Sequence, residues 1–272
     1  MVTRGELVVE GKTKKIWEAP HESGMVLIES KDDVTAGDGA RREQFESKGK
    51  YSTDVAVRCF ELLNARAIPN HFVARVDSTT FLAQKLEMIP IEVVLRRVVT
   101  GSYLNRRPDI EEGTRFDPPV VECFTKIDME HDPLMIHDFV SQRVLLFDKD
   151  KPLVEGFLRE VPMKDRDEEW LVISRLIWFG EHVFTLLEEA WSQQGVTLVD
   201  LKIECGRDAS GNIILGDVIT NDEWRIWPGG DKSRQLDKQK FREMPEATKE
   251  AMAALKANYA QVAEMVKKFP KY

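Results

Sequence analysis

Asp200, Lys202 and Glu204 alternate with apolar residues between positions 199 and 205, and the two-residue period of a strand puts the three charges on one face. Turn residues fill 206–212, and the apolar run Ile213-Ile214-Leu215 then leads into Gly216-Asp217. Residues 197–228 therefore read as an antiparallel hairpin whose return brings Asp217 close to Glu204. Facing carboxylates repel unless a cation lies between them, and oxygen ligands suit Mg²⁺, which keeps waters and bridges substrate phosphates. A charged strand face can equally be solvated, with Lys202 neutralising its neighbours. The hairpin alone leaves both readings open.

Other stretches could bind anions. Gly11-Lys12-Thr13-Lys14-Lys15 concentrates cations in a turn between two strand candidates, 6–10 and the run resuming at Ile16-Trp17. Backbone N–H and ammonium groups there could lie over a polyphosphate, although the spacing is not that of a P-loop. Arg96 and Arg97 precede the turn Gly101-Ser102, and Arg106 and Arg107 follow it. Guanidinium forks, a hydroxyl and free N–H groups suit a phosphomonoester. Gly37-Asp38-Gly39 centres a loop over 30–42, where flanking glycines let the backbone present a carboxylate at an unusual angle. Lys126, Asp128 and His131-Asp132-Pro133 form a further polar run, and Arg234, Lys238 and Arg242 are spaced for one side of a turn and helix.

The elements that must position these groups follow from periodicity. Residues 26–29 form a strand, and 51–66 show helical spacing that ends at Ile68-Pro69. Two apolar stretches, 81–86 and 88–95, are joined at Glu87 and broken by Pro90. We read them as a crossing between two lobes, where backbone groups could meet an adenine edge and Met88 could fill beside the ring or simply belong to the core. Residues 168–194 form the strongest helix, with Gly195 as its stop, and 245–268 close the chain as an amphipathic helix. Residues 139–165 carry little usable pattern.

Composition sets the outer limits. With 272 residues, 42% hydrophobic and 32% charged, the chain has an ordinary globular composition. A net charge of -8 argues against nucleic acid as a partner, though a local cation cluster can still hold phosphate. Cys59, Cys123 and Cys205 are odd in number and widely spaced, which suggests neither disulfides nor zinc. No leader-like apolar region opens the sequence and no run of membrane-spanning length stands out, so we expect no membrane partner and a cytoplasmic setting.

GKTKKIW, DDVTAGDGA, KLEMIPIEVVLRR, TGSYLNR, KIDMEHDP, VDLKIECG and GDVITNDEWRIWP occur in this order over about residues 9–242. Together they resemble the phosphoribosylaminoimidazole-succinocarboxamide synthase (SAICAR synthetase) family. Details such as GSYLNRRPDIEEG look closer to the synthetase half of the animal bifunctional enzyme, and no carboxylase half is expected here. Where bacterial members carry an acid and Ser-Pro after the metal Asp, this chain has Val218-Ile219-Thr220-Asn221, which puts a second acid there in doubt.

The resemblance implies an α+β, two-lobed, ATP-grasp-like fold with antiparallel sheets and packing helices, divided into a nucleotide-cradling lobe (1–87) and a substrate and metal lobe (88–272). It implies ATP-dependent ligation of L-aspartate to carboxyaminoimidazole ribonucleotide (CAIR) in purine synthesis. Lys12, Lys14, Lys85, Glu87 and Met88 would then hold ATP, and Glu204 and Asp217 would hold Mg²⁺. Arg96, Ser102, Arg106, Arg225 and Arg242 would hold CAIR. Asp38, Lys126, Asp132, Asp200 and Lys202 would position or neutralise the reacting groups. Association of copies into a homo-oligomer stays open. A kinase would share a nucleotide cleft between lobes, but its HRD and DFG signatures are absent. A nonenzymatic nucleotide-binding module would keep the cations and lose the paired carboxylates.

Overall fold

A computed structural model of the chain describes residues 2–271, with the side chains of Asp38 and Asp128 outside the description. The N-terminal half builds one antiparallel sheet from β1 (Leu7–Glu10), β2 (Lys14–Glu18), β3 (Met25–Ser30), β6 (Phe72–Arg75) and β7 (Thr80–Gln84), in the order β1-β2-β3-β7-β6. Between β3 and β6 lie the hairpin β4 (Asp33–Ala36) and β5 (Arg41–Gln44), then helix α1 (Lys48–Ala65). The hairpin replaces the loop expected over 30–42. Asp33, 1% exposed, accepts from Arg42 Nε at 2.7 Å and Gln44 Nε2 at 2.9 Å, which zips the two short strands together.

After Gln84 the chain crosses into a second antiparallel sheet. Its strands are β8 (Glu87–Val98), β9 (Arg115–Thr125), β10 (Leu134–Asp138), β11 (Arg143–Phe147), β12 (Arg159–Pro162), β13 (Val196–Arg207), β14 (Ile213–Leu215) and β15 (Trp224–Pro228). The order is β12-β11-β10-β9-β8-β13-β14, with β15 also on β13. Short helix α2 (Ser102–Arg106) follows β8, the long helix α3 (Arg166–Ser192) precedes β13, and α4 (Gln239–Glu243) and α5 (Lys249–Val266) end the described fold. This is the α+β arrangement of antiparallel sheets and packing helices.

Strand period dictates which face of the second sheet is core. On β13, Leu201, Ile203 and Cys205 are buried, and the first two lie opposite Leu95 and Val93 of β8. α3 lies on this side at close range: a Cβ on Gly180 would come within 2.6 Å of Leu95 Cδ1, so only glycine lets the helix approach so near. Asp165 caps α3, accepting from the N–H of Asp167 and of Glu168 at 3.0 Å each, so the helix starts at Arg166 rather than 168. By length and composition α3 is apolar enough to cross a membrane, which the reading of the sequence had missed. Ile173, Leu176, Phe179, Val183, Phe184, Leu187 and Trp191 on it are buried in the core. Residues 139–165, without a pattern in the sequence, supply β11 and the edge strand β12.

One apolar cluster runs through both halves, from Val55, Phe60 and Phe81 to Ile203, Phe184 and Trp191. A second, smaller cluster joins Val34 and Phe45 of the N-terminal half to Phe241, Leu255 and Tyr259 near the C-terminus. Cys59, Cys123 and Cys205 are buried and free.

Candidate active site

The outward face of β13 organises the site. Asp200, Lys202 and Glu204 stand opposite Arg96, Val94 and Glu92 of β8, as the period of two required. Glu204 and Glu92 are thus like charges across a ladder, a costly pairing unless a cation intervenes. Lys202 supplies it: its Nζ donates to Glu204 Oε1 at 2.8 Å and to Glu92 Oε1 at 2.9 Å. Lys126, just after β9, donates to Glu204 Oε2 at 2.5 Å. Burial raises the Glu204 carboxyl, but Lys202 and Lys126 outweigh it and hold the group at about 2. Burial likewise opposes the charge on Lys202, and Glu204, Glu92 and Glu223 overcome it, so that ammonium titrates above its ordinary range.

Asp217 and Lys14 meet from opposite sheets. Asp217 follows β14, has φ of 53°, and forms an ion pair with Lys14 of β2. A left-handed backbone at a non-glycine residue costs about 1 kcal/mol or more and persists where the surroundings demand a particular side-chain direction. Lys14 is pulled down to about 8 by burial, with Glu204 and Glu223 opposing the shift. Glu204 and Asp217 are therefore each partnered by ammonium groups. Among the described residues no three Asp, Glu, His or Cys side chains gather into a metal cage. Two carboxylates on adjoining segments still fit Mg²⁺ that arrives with polyphosphate, because that ion needs only one or two protein carboxylates.

One end of the cleft is built from the two turns and the linker. Lys12 is exposed and its Cε lies 3.5 Å from where a Cβ on Gly39 would stand, so the lysine-rich turn and the Gly37–Gly39 turn lie together. Asp38 belongs to that turn, and its side chain is outside the described part. Lys85, Glu87 and Met88 are exposed at the linker. The Met88 sulfur would lie within 3.2 Å of a Cβ on Gly206 and 3.1 Å of one on Gly216, which seats the linker directly on the hairpin that carries Glu204 and Asp217.

At the other end of β13, Asp200 is flanked on both sides by arginines in register, Arg96 on β8 and Arg225 on β15. Its Oδ2 accepts from Arg96 Nη1 at 3.1 Å and from Arg225 Nη1 at 2.5 Å. Gly101, with φ of 61°, faces Arg225 so closely that a Cβ would come within 2.5 Å of Nη2. Ser102, partly exposed, opens α2 immediately after it.

Three expectations change in detail. Arg106 is bound within the protein: its side chain is fully buried and paired with Glu122, with Nε at 3.0 Å and Nη2 at 2.7 Å from Oε1. Glu122 also takes Arg96 Nε at 2.6 Å, so Arg106 fixes the carboxylate that orients Arg96. Asp132 turns inward to accept from Ile127 N at 3.0 Å and closes its own loop. Arg242 lies exposed on α4 and donates to Gln239 Oε1 at 3.3 Å.

A family model described as SAICAR synthetase matches residues 7–258. The chain belongs to the SAICAR synthetase family. It is 43% identical over 260 residues to the phosphoribosylaminoimidazole-succinocarboxamide synthase of Roseiflexus sp. (strain RS-1), covering 96% of each. It is 40% identical to the chicken (Gallus gallus) "Multifunctional protein ADE2", covering 96% of this chain and 58% of that one. Among solved structures, a SAICAR synthetase (Type-2) in complex with ADP superposes with a TM-score of 0.76 at 30% identity, over 98% of this chain and all of that one. The SAICAR synthase of Saccharomyces cerevisiae complexed with SAICAR, at 18% identity and a TM-score of 0.72, shares the fold over the whole of this chain and 99% of its own.

Within this SAICAR synthetase framework the sequence reading overlooked Glu92, Glu122 and Glu223. Strand alternation along β8 puts Glu92 on the face of Arg96, and that signal was available. Glu223, whose Oε2 accepts from Thr220 N at 2.9 Å, follows the segment Val218-Ile219-Thr220-Asn221 and returns an acid to the neighbourhood of Lys14 and Lys202.

Proposed function

We propose that this chain joins L-aspartate to CAIR at the expense of ATP, giving SAICAR, ADP and phosphate in de novo purine synthesis. The observation that carries the reading is the single outward face of β13, with Glu204 and its lysines beside the linker and Asp200 with its arginines four residues away. Four residues of strand span about 13 Å, room for a polyphosphate at one end and a sugar phosphate at the other, meeting over Lys202.

In this reading Lys12 and Lys14 bind the ATP phosphates, and the linker at Lys85, Glu87 and Met88 lines the adenine side. Arg96, Ser102 and Arg225 hold CAIR, and Arg242 reaches it from α4. Lys126 and Lys202 neutralise carboxylates, while Asp38 and Asp132 position metal or substrate from their loops. Glu204 and Asp217 would hold Mg²⁺, which when bound supplies charge neutralisation between the phosphates. A carboxylate is a poor acyl donor, so its oxygen first attacks the γ-phosphorus and ADP leaves, making an acyl phosphate. The aspartate amine then attacks the acyl carbon and phosphate departs with the bonding pair. Such transfers depend on alignment and fixed charge more than on covalent help from the protein.

ADP release in a coupled assay tests the reading. Release that needs both CAIR and aspartate is expected, and release without aspartate, or none with all three substrates, counts against it. A cytoplasmic setting and a homo-oligomer belong to the same proposal. Exposed Phe157, Leu158, Trp170 and Leu171 offer apolar side chains for association, and sedimentation as a monomer at high concentration would remove that part.

A further inference from the structure

The loop from Asp217 to Arg225 carries a site residue at each end, and buried contacts fix it between them. Asn221, 1% exposed, accepts from Trp224 Nε1 at 2.9 Å and donates to Leu236 O at 2.8 Å. Asp222 beside it is the junction. Its Oδ2 accepts from Lys48 Nζ of α1 at 2.9 Å and lies 3.8 Å from Lys238 Nζ. Its Oδ1 accepts from the hydroxyl of Tyr259 on α5 at 2.5 Å. Lys48 and Tyr259 are each 1% exposed.

We propose that Tyr259 is a positioning residue for the ligase, acting through Asp222 to set the 217–225 loop and the ammonium of Lys238. The inference rests on the function proposed above. Tyr259 sits where two units join: its ring packs edge-on against Phe45 at 5.2 Å, in the cluster that also holds Phe241 of α4, and its hydroxyl reaches out of that cluster to the loop. Lys238 is the residue that immediately precedes α4, the helix that bears Arg242. With one carboxylate oxygen held by Tyr259, Asp222 meets Lys238 at ion-pair distance but beyond hydrogen-bond length. Without the hydroxyl, only Lys48 holds that carboxylate, which can then pivot about this bond, draw Lys238 in, and shift both the loop and α4. Site geometry displaced by a fraction of an ångström to 1 Å costs rate rather than fold.

The test compares Tyr259→Phe, which removes only the hydroxyl, with Leu255→Val, which trims the same apolar cluster one helical turn earlier. Both are assayed well below their melting temperatures. Tyr259→Phe is expected to lower kcat about tenfold with KM for ATP and CAIR within about twofold. Leu255→Val is expected to lower the melting temperature by a few degrees with kcat within about twofold. Adding Lys238→Gln to Tyr259→Phe is expected to lose no more than Lys238→Gln alone, because both act through one unit. A Tyr259→Phe enzyme with kcat within twofold of the parent, or a Leu255→Val enzyme equally slowed, overturns the proposal. A parent chain that releases no aspartate-dependent ADP overturns the ligase reading and this inference with it.

Discussion

Lys14 shows how burial tunes the ammonium that we propose binds the ATP phosphates. Its ammonium, brought down to about 8, is charged below that pH and neutral above it, so KM for ATP is expected to rise as pH passes through 8. Lys14→Arg keeps its charge throughout and should flatten that rise, which pH-dependent kinetics on the two forms would check. Glu204 has the opposite sign. Its carboxyl lies near 2 instead of 4.5, so the stability it contributes is present above pH 4.5 and is lost as pH falls toward 2. Glu204→Ala leaves Lys202 with Glu92 alone and takes from Lys126 its short hydrogen bond, and we expect about 1–3 kcal/mol lower stability as well as lost turnover, measurable by denaturant titration. Asp200, Lys202 and Glu204 were legible because charges that keep a strand's period announce a polar face. Glu92 shared that signal through the alternation of β8, but other partners did not: Glu122 becomes a neighbour only through strand pairing, and Asp222 meets Lys48 and Tyr259 across 174 and 37 residues of chain.

At the scale of elements, the site depends on close approaches that larger residues would block. Gly101 is the sharpest case, because its φ of 61° disfavours any side chain and a Cβ would strike the Arg225 guanidinium. Gly101→Ala is expected to raise KM for CAIR about tenfold and to cost about 1–2 kcal/mol of stability, with KM for ATP nearly unchanged. Equal losses for both substrates in steady-state kinetics would detach this turn from the CAIR end. The long helices, the central strands and the linker were readable from period and breakers. The β4–β5 hairpin was not, since RREQ has no apolar alternation and is held by the side chain of Asp33. β12 was missed for a related reason: four residues on an open edge carry too little burial to leave a pattern.

Across the whole molecule, a chain of net charge -8 gathers Lys14, Lys126, Lys202, Arg96 and Arg225 along one face, which draws anionic substrates inward while the remaining surface repels polyanions. The linker separates two sheets, yet the main apolar cluster crosses it and α5 lies against α1. Calorimetry is expected to give one cooperative unfolding transition, and two resolved transitions would mean that residues 1–87 and 88–272 melt apart. α5 also has a temporal meaning. It follows every other site element in the chain, so a nascent polypeptide on the ribosome has already exposed all seven recognisable motifs before the hydroxyl that steadies Asp222 exists. A fragment ending ahead of α5 would match the family by sequence and still lack a finished site.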